Sequence, residues 1–184
     1  MHTDLKNTFL QAQRNDRLAQ KILYERFSVK MLAIAKSYVN NTQDAEDVLV
    51  MAFCKAFDRI SECRDANSFP FWLRKIVVND AISFIRKNRN ILYSDNENVE
   101  EFGEDFLEND ENSFPDFDVE QVMMQMPLGY KLVFNLYIFE DKKHLEIAEI
   151  LNISEGTSKS QLNKAKKWLL EFFNQKQHEK FIKK

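Results

Sequence analysis

Residues 144–169 read HLEIAEILNISEGTSKSQLNKAKKWL, and this stretch decides the fold. It divides at Asn152 into a short helix and a long one, the pattern of a helix-turn-helix. Leu145, Ala148 and Ile150 are expected to face inward on the first helix, with Ala148 small where two helices cross closely. Asn152 stands where the turn needs left-handed backbone, which asparagine tolerates better than most residues. Ile153 plugs the corner, Ser154 caps the second helix, and Glu155 lies in its first turn, where the helix dipole favours an acid. Leu162, Ala165, Trp168 and Leu169 are expected to pack behind that helix. Its polar face offers Thr157, Lys159, Ser160, Gln161, Asn163, Lys164 and Lys167. Hydroxyl, amide and ammonium groups are what base edges and phosphates bind. The same residues also suit a plain amphipathic hairpin with a solvated lysine face, and the absence of arginine weakens the base-reading alternative.

Upstream of this motif, the helical pattern resumes at Val119, a turn is expected at Pro127-Leu128-Gly129, and Tyr130 to Phe139 forms a dense apolar helix. Residues 90–118 show no sustained period and contain Gly103 and Pro115, which marks a linker. Residues 5–39 read as one helical stretch, with Leu18, Ile22, Tyr24, Phe27, Met31, Ile34, Ala35 and Tyr38 at three- and four-residue steps. Asn40-Asn41-Thr42 breaks it. Asn41 or Thr42 can cap the next helix, which has Asp44, Glu46 and Asp47 near its start and an apolar face from Ala45 to Ile60. A polar loop from Ser61 to Ser68 leads to a helix from about Phe69 to Lys87.

With only three glycines and three prolines in 184 residues, tight turns are too few for a sheet-rich chain, and 44% apolar residues supply a core. The fold class expected is all-α, in two small helical domains. Net charge is −3, but its distribution is uneven. Residues 90–130 hold twelve acids and no Lys or Arg, whereas residues 1–89 hold fifteen basic against ten acidic residues, and residues 131–184 eleven against seven. Two mildly basic segments therefore flank an acidic connector. Cys54 and Cys63 form no disulfide framework and have no partner at zinc spacing, and His2, His144 and His178 are far apart. No phosphate loop, metalloprotease motif or nucleophile elbow occurs, so no catalytic group, metal or cofactor is expected. The start, MHTDLKNTF, has no apolar signal region, and no run of eighteen apolar residues exists, so membrane insertion is not expected and a cytoplasmic location is.

A second constellation, SFPFWLRKIVVNDAISFIRKNRN at residues 68–90, places Phe69, Phe71 and Trp72 beside Arg74, Lys75, Arg86, Lys87 and Arg89. Aromatics next to cations suit single-stranded DNA, because unpaired bases stack while phosphates are neutralised. Such aromatics are also often core, and Trp72 leans that way.

In their order these pieces resemble the extracytoplasmic-function branch of the sigma-70 family of RNA polymerase subunits. YERF, DAEDVLVMAF and SFPFWLRKIVVNDAI within residues 24–87 are similar to sigma region 2, and MPLGYKLVFNLYIFEDKKHLEIAEILNISEGTSKSQLNKAKKWL at 126–169 to region 4. The resemblance implies domains at 1–90 and 118–184, joined by a linker at 91–117 in the RNA exit path. It implies a non-enzymatic role in promoter recognition and melting for a stress- or signal-responsive regulon. Its partners would be core polymerase through the β′ clamp helices and β flap, promoter DNA, and an anti-sigma factor. Asp44, Glu46, Asp47 and Val50 would meet the clamp. Asn67, Ser68, Phe69, Trp72, Arg74, Lys75 and Asn79 would handle the −10 element, and Thr157, Lys159, Ser160, Gln161, Asn163 and Lys164 the −35 element.

The chain departs from the family pattern in three places. Val50-Met51 replaces a common Gln-Glu pair, with Val50 expected exposed and Met51 at the core edge. Ser83 stands where Asp is usual, and lysine takes the place of arginine on the recognition helix. A stand-alone helix-turn-helix regulator, which would dimerise and need no polymerase-binding surface, is the other reading.

Overall fold

The computed structural model describes residues 4–39, 41–87 and 119–182, with side chains from 121 to 175 in the last segment. The linker expected at 91–117 lies outside the described residues, as do His2 and Arg89. Among the described residues there is no strand, and the chain divides into two compact units, one within Met1–Arg89 and one within Asn90–Lys184.

The first unit holds α1 (Leu5–Gln13), α2 (Arg17–Tyr38), α3 (Thr42–Asp58) and α4 (Phe69–Lys87), with a single 3₁₀ turn at Ile60–Glu62. The helical stretch expected over 5–39 is two helices. Asn15 takes a positive φ of 63°, and the Asp16 carboxylate accepts the Ala19 N–H at 2.9 Å. A residue tolerant of left-handed backbone followed by a good N-cap therefore ends one helix and starts the next. Asn41, rather than Thr42, caps α3: its side-chain oxygen accepts the Asp44 N–H at 2.7 Å and its amide donates to the Asp44 carboxylate at 2.6 Å.

Phe69 ties α4 to both α1 and α2. It is fully buried, with ring centroids 5.7 Å from Phe9, 5.5 Å from Phe27 and 6.1 Å from Trp72. The Leu23, Met31, Ala35 and Tyr38 row of α2 packs into the same interior, while Leu18, assigned to that stripe from periodicity, is exposed. Between α3 and α4, Lys55 Nζ reaches the Asp80 carboxylate at 2.6 Å; Asp80 is buried and Lys55 is open to solvent.

The second unit holds α5 (Val119–Gln125), α6 (Leu128–Ile138), α7 (His144–Leu151) and α8 (Glu155–Ile182). Pro127 alone is the N-cap of α6, so Leu128 and Gly129, expected in a turn, are its first helical residues. This agrees with the preference of helix starts for a residue of fixed φ. α6 is buried on most sides and includes Lys131, whose ammonium is held down to about 8 by burial. α8 crosses both α6 and α7, and Met123, Met126 and Ala165 form a core flanked by Tyr130, Phe134, Trp168 and Leu169.

Since Phe69 fills the point where α1, α2 and α4 meet, Phe69→Ala is expected to cost about 3–5 kcal/mol of unfolding free energy, read by urea denaturation.

Candidate nucleic-acid interface

The turn of the helix-turn-helix forms as its sequence dictates. Asn152 has φ 56° and ψ 50°, and the Ile153 N–H returns to the Ala148 carbonyl at 3.0 Å. The Ser154 hydroxyl accepts the Thr157 N–H at 2.9 Å and meets the Thr157 hydroxyl at 2.8 Å. Glu146 accepts the Lys143 N–H at 3.0 Å and pairs with Lys142, so α7 starts as firmly as α8. The inward face of α7 differs from the expected one. Ile147, Ala148 and Leu151 are buried, Ile150 is half-buried, and Leu145 is 61% exposed. The i, i+4 pair Ile147 and Leu151 defines the buried row, and Leu145 lies off it.

On α8, Ser158, Leu162 and Ala165 are buried and set the inner face. At about 100° per residue, Ser160, Asn163 and Lys167 point nearly opposite to Ser158, and Lys164 and Lys159 flank them. Lys159 is exposed and bridges to Glu155 at 2.8 Å, while Ser160, Asn163 and Lys164 are half-buried. Gln161 falls only about 60° from the Ser158 direction. Its Oε1 is buried and accepts no hydrogen bond among the described residues. Five of the six −35 candidates thus lie on or beside the outward face, and Gln161 is turned towards α6.

His144 is buried enough to matter. Its Nδ1 lies 2.9 Å from the Ser158 hydroxyl, and its ring stacks on Tyr137 at 4.9 Å. Burial, with Lys159 and Lys166 nearby, holds the imidazole below the usual histidine range, against the opposing pull of Glu155.

In the first unit the Asn67-Ser68 loop is held from below. The Asp65 carboxylate accepts the Ser68 N–H at 2.8 Å and pairs with Arg64 at 2.9 Å, and these bonds hold it at about 2. Asn67, Lys75 and Asn79 are exposed, and Ser68, Trp72 and Arg74 are half-buried. Phe69, placed among the −10 candidates by the family resemblance, has no exposed surface. Phe71 is the aromatic that reaches solvent, at 76% exposure. The signal was available, because residues two apart on a helix point about 200° from each other, so Phe69 and Phe71 cannot share a face. Trp72 lies within about 60° of Phe69 and is drawn partly inward with it.

On α3, Glu46 and Asp47 are exposed and Asp44 is half-buried by its tie to Asn41. Val50 is 53% exposed, as expected, but Met51 is exposed too, at 42%. Val48, Leu49, Ala52 and Phe53 already fill the buried stripe, which leaves Met51 on its outer edge. Among the described residues no cluster of His, Cys, Asp and Glu could hold a metal ion, and no helix is long and apolar enough to cross a membrane.

Residues 23–91 match the family model for sigma-70 region 2, and residues 116–169 that for sigma-70 region 4. The RNA polymerase sigma factor SigV of Bacillus subtilis is 35% identical over 135 residues, spanning 73% of this chain and 78% of that protein. The ECF RNA polymerase sigma factor SigW of Bacillus subtilis is 26% identical over 183 residues, spanning 92% and 96%. The solved structure of CnrH in complex with the cytosolic domain of CnrY aligns at 17% identity and a TM-score of 0.48, over 93% of this chain and 98% of that one.

Because the His144 pKa is lower folded than unfolded, its contribution to stability is complete above the unfolded value of 6.5 and is lost as pH falls below it. The thermal midpoint of the second unit, followed by Trp168 fluorescence in a Trp72→Phe background, is expected to drop between about pH 7 and pH 5. His144→Gln is expected to make that drop smaller.

Proposed function

The chain belongs to the sigma-70 family, in its extracytoplasmic-function branch, and from that membership we propose how its two units divide the work of a promoter-recognising RNA polymerase subunit. The first, at about 1–90, binds core polymerase and opens the −10 element; the second, at about 118–184, binds the −35 element. The observation that carries this division is the pairing of region 2 and region 4 matches with two separate helical units, the second built on a capped helix-turn-helix.

The outer face of α3 meets the β′ clamp helices. Glu46 and Asp47 steer it towards a basic surface, and exposed Val50 and Met51 add contact once water is expelled. Asn67 and Ser68 of the preceding loop and Arg74, Lys75 and Asn79 of α4 engage the melted −10 strand, with Trp72 supporting them from a half-buried position. On α8, Thr157, Lys159, Ser160, Asn163 and Lys164 enter the major groove at −35. Lysines in place of arginines make point contacts with phosphates and fewer forked contacts with bases. Lys159 leaves Glu155 when it does so, at little cost because the pair is exposed. The second unit also meets the β flap. The protein contributes binding and no catalytic group, acts in the cytoplasm, and serves a stress- or signal-responsive regulon restrained by an anti-sigma factor.

Three experiments test this. Purified protein is expected to co-elute with core polymerase and to support run-off transcription from a subset of promoter fragments; binding of DNA alone, with no effect of core, would instead indicate a stand-alone regulator. Val50→Asp is expected to weaken core binding with helicity preserved. Replacing Lys164 with Ala is expected to make the negative slope of log affinity against log salt shallower by about 0.9, the value for one phosphate contact.

A further inference from the structure

Gln161 stands in the middle of the recognition helix, yet its amide is spent on the helix behind. Gly129, in the first turn of α6, has no side chain, and the Gln161 amide lies over it. A Cβ at Gly129 would sit 3.0 Å from Gln161 Oε1, 3.3 Å from Cδ and 3.4 Å from Nε2. All three atoms of the amide plane thus occupy the space a side chain at 129 would take. Oε1 is sealed from solvent there and accepts no hydrogen bond among the described residues. An amide that reads adenine must present its oxygen and its N–H₂ together to the base edge. This one presents its oxygen to α6, on the side of α8 that carries Ser158, Leu162 and Ala165.

We propose that Gln161 is a positioning residue: seated on Gly129, it sets the spacing of α8 from α6 and thereby the depth at which Ser160, Asn163 and Lys164 enter the groove. The proposal rests on the reading of the second unit as the −35 binder. In it, Gln161 works by its length and shape. A buried acceptor with no partner gains nothing from being polar, and an apolar group of the same shape serves as well or better. Methionine has that shape and alanine does not. The seat also depends on the absence of a side chain at 129, so filling it from α6 must displace Gln161.

The test uses the full chain assembled with core polymerase and a promoter fragment selected by the wild-type protein, randomised through its −35 element. Gln161→Ala is expected to lower affinity about five- to tenfold on every −35 variant without altering the ranking of bases. Gln161→Met is expected to restore affinity to within about twofold, with the same ranking. Asn163→Ala, by contrast, is expected to flatten the preference at one base. Gly129→Leu is expected to weaken binding, and Gly129→Leu combined with Gln161→Ala to recover it, because the volume removed from one helix is returned by the other. A change of preferred base in Gln161→Met, or strictly additive losses in the Gly129 and Gln161 pair, would overturn the proposal. If the wild-type holoenzyme selects no fragment at all, the −35 reading itself falls, and the seat on Gly129 loses its purpose with it.

Discussion

A helix can bury one stripe of its surface against one set of neighbours, and each residue step turns the chain by about 100°. With no strand among the described residues, the tertiary contacts within a unit are made mainly by such stripes. The functional surface is what remains. On α4, the burial of Phe69, Leu73 and Val77 commits one side to α1, α2 and α3, which leaves Phe71, Lys75 and Asn79 outside. On α8, the burial of Ser158, Leu162 and Ala165 turns Ser160, Asn163 and Lys167 outward. In both helices the residues proposed to meet DNA are placed by the residues buried on the opposite side.

Small residues and polar anchors set how closely those stripes approach. Ala12, Ala19, Ala35, Ala52 and Ala56 are fully or almost fully buried in the first unit, where larger side chains would force the helices apart. Lys55 and Asp80 fix the register of α3 against α4 with a charge-assisted bond whose acidic end is buried and whose basic end is wet. Such a pair adds less stability than its short distance suggests, because Asp80 gave up hydration to form it. Removing Lys55 would strand a buried carboxylate, so the pair specifies the helix match more than it strengthens it. The pairs Lys21–Glu25, Arg59–Glu62, Arg64–Asp65, Lys142–Glu146 and Lys159–Glu155 are exposed and worth little.

Local chemistry made much of this legible. The αL position at Asn152, the cap at Ser154, and the bounds of α4 and α7 each depend on a residue and its near neighbours in sequence, and each was read correctly, while the cap of α3 was narrowed to Asn41 or Thr42. The break at Asn15-Asp16 has the same kind of signal, but the apolar steps running across it hid two helices as one. The errors of facing were of another kind. Leu145 and Leu18 were placed on periodic apolar rows, Met51 was placed at the core edge beside an exposed Val50, and Phe69 was placed among the −10 candidates by the family resemblance; the first three are exposed and Phe69 is buried.

By itself, the sequence determined the bounds of α4 and α7, that the turn of the helix-turn-helix closes, and which family the chain belongs to. These rest on bonds within a few residues and on the order of motifs along the chain. The tertiary structure decided the rotation of each helix about its own axis: that Ile147, not Leu145, is buried, that Phe71, not Phe69, meets solvent, and that Gln161 rests on Gly129. Periodicity marks an apolar stripe only to within a residue or so on either side. The final choice is made by the size of the side chains on the neighbouring helix, which the residues of the first helix cannot encode.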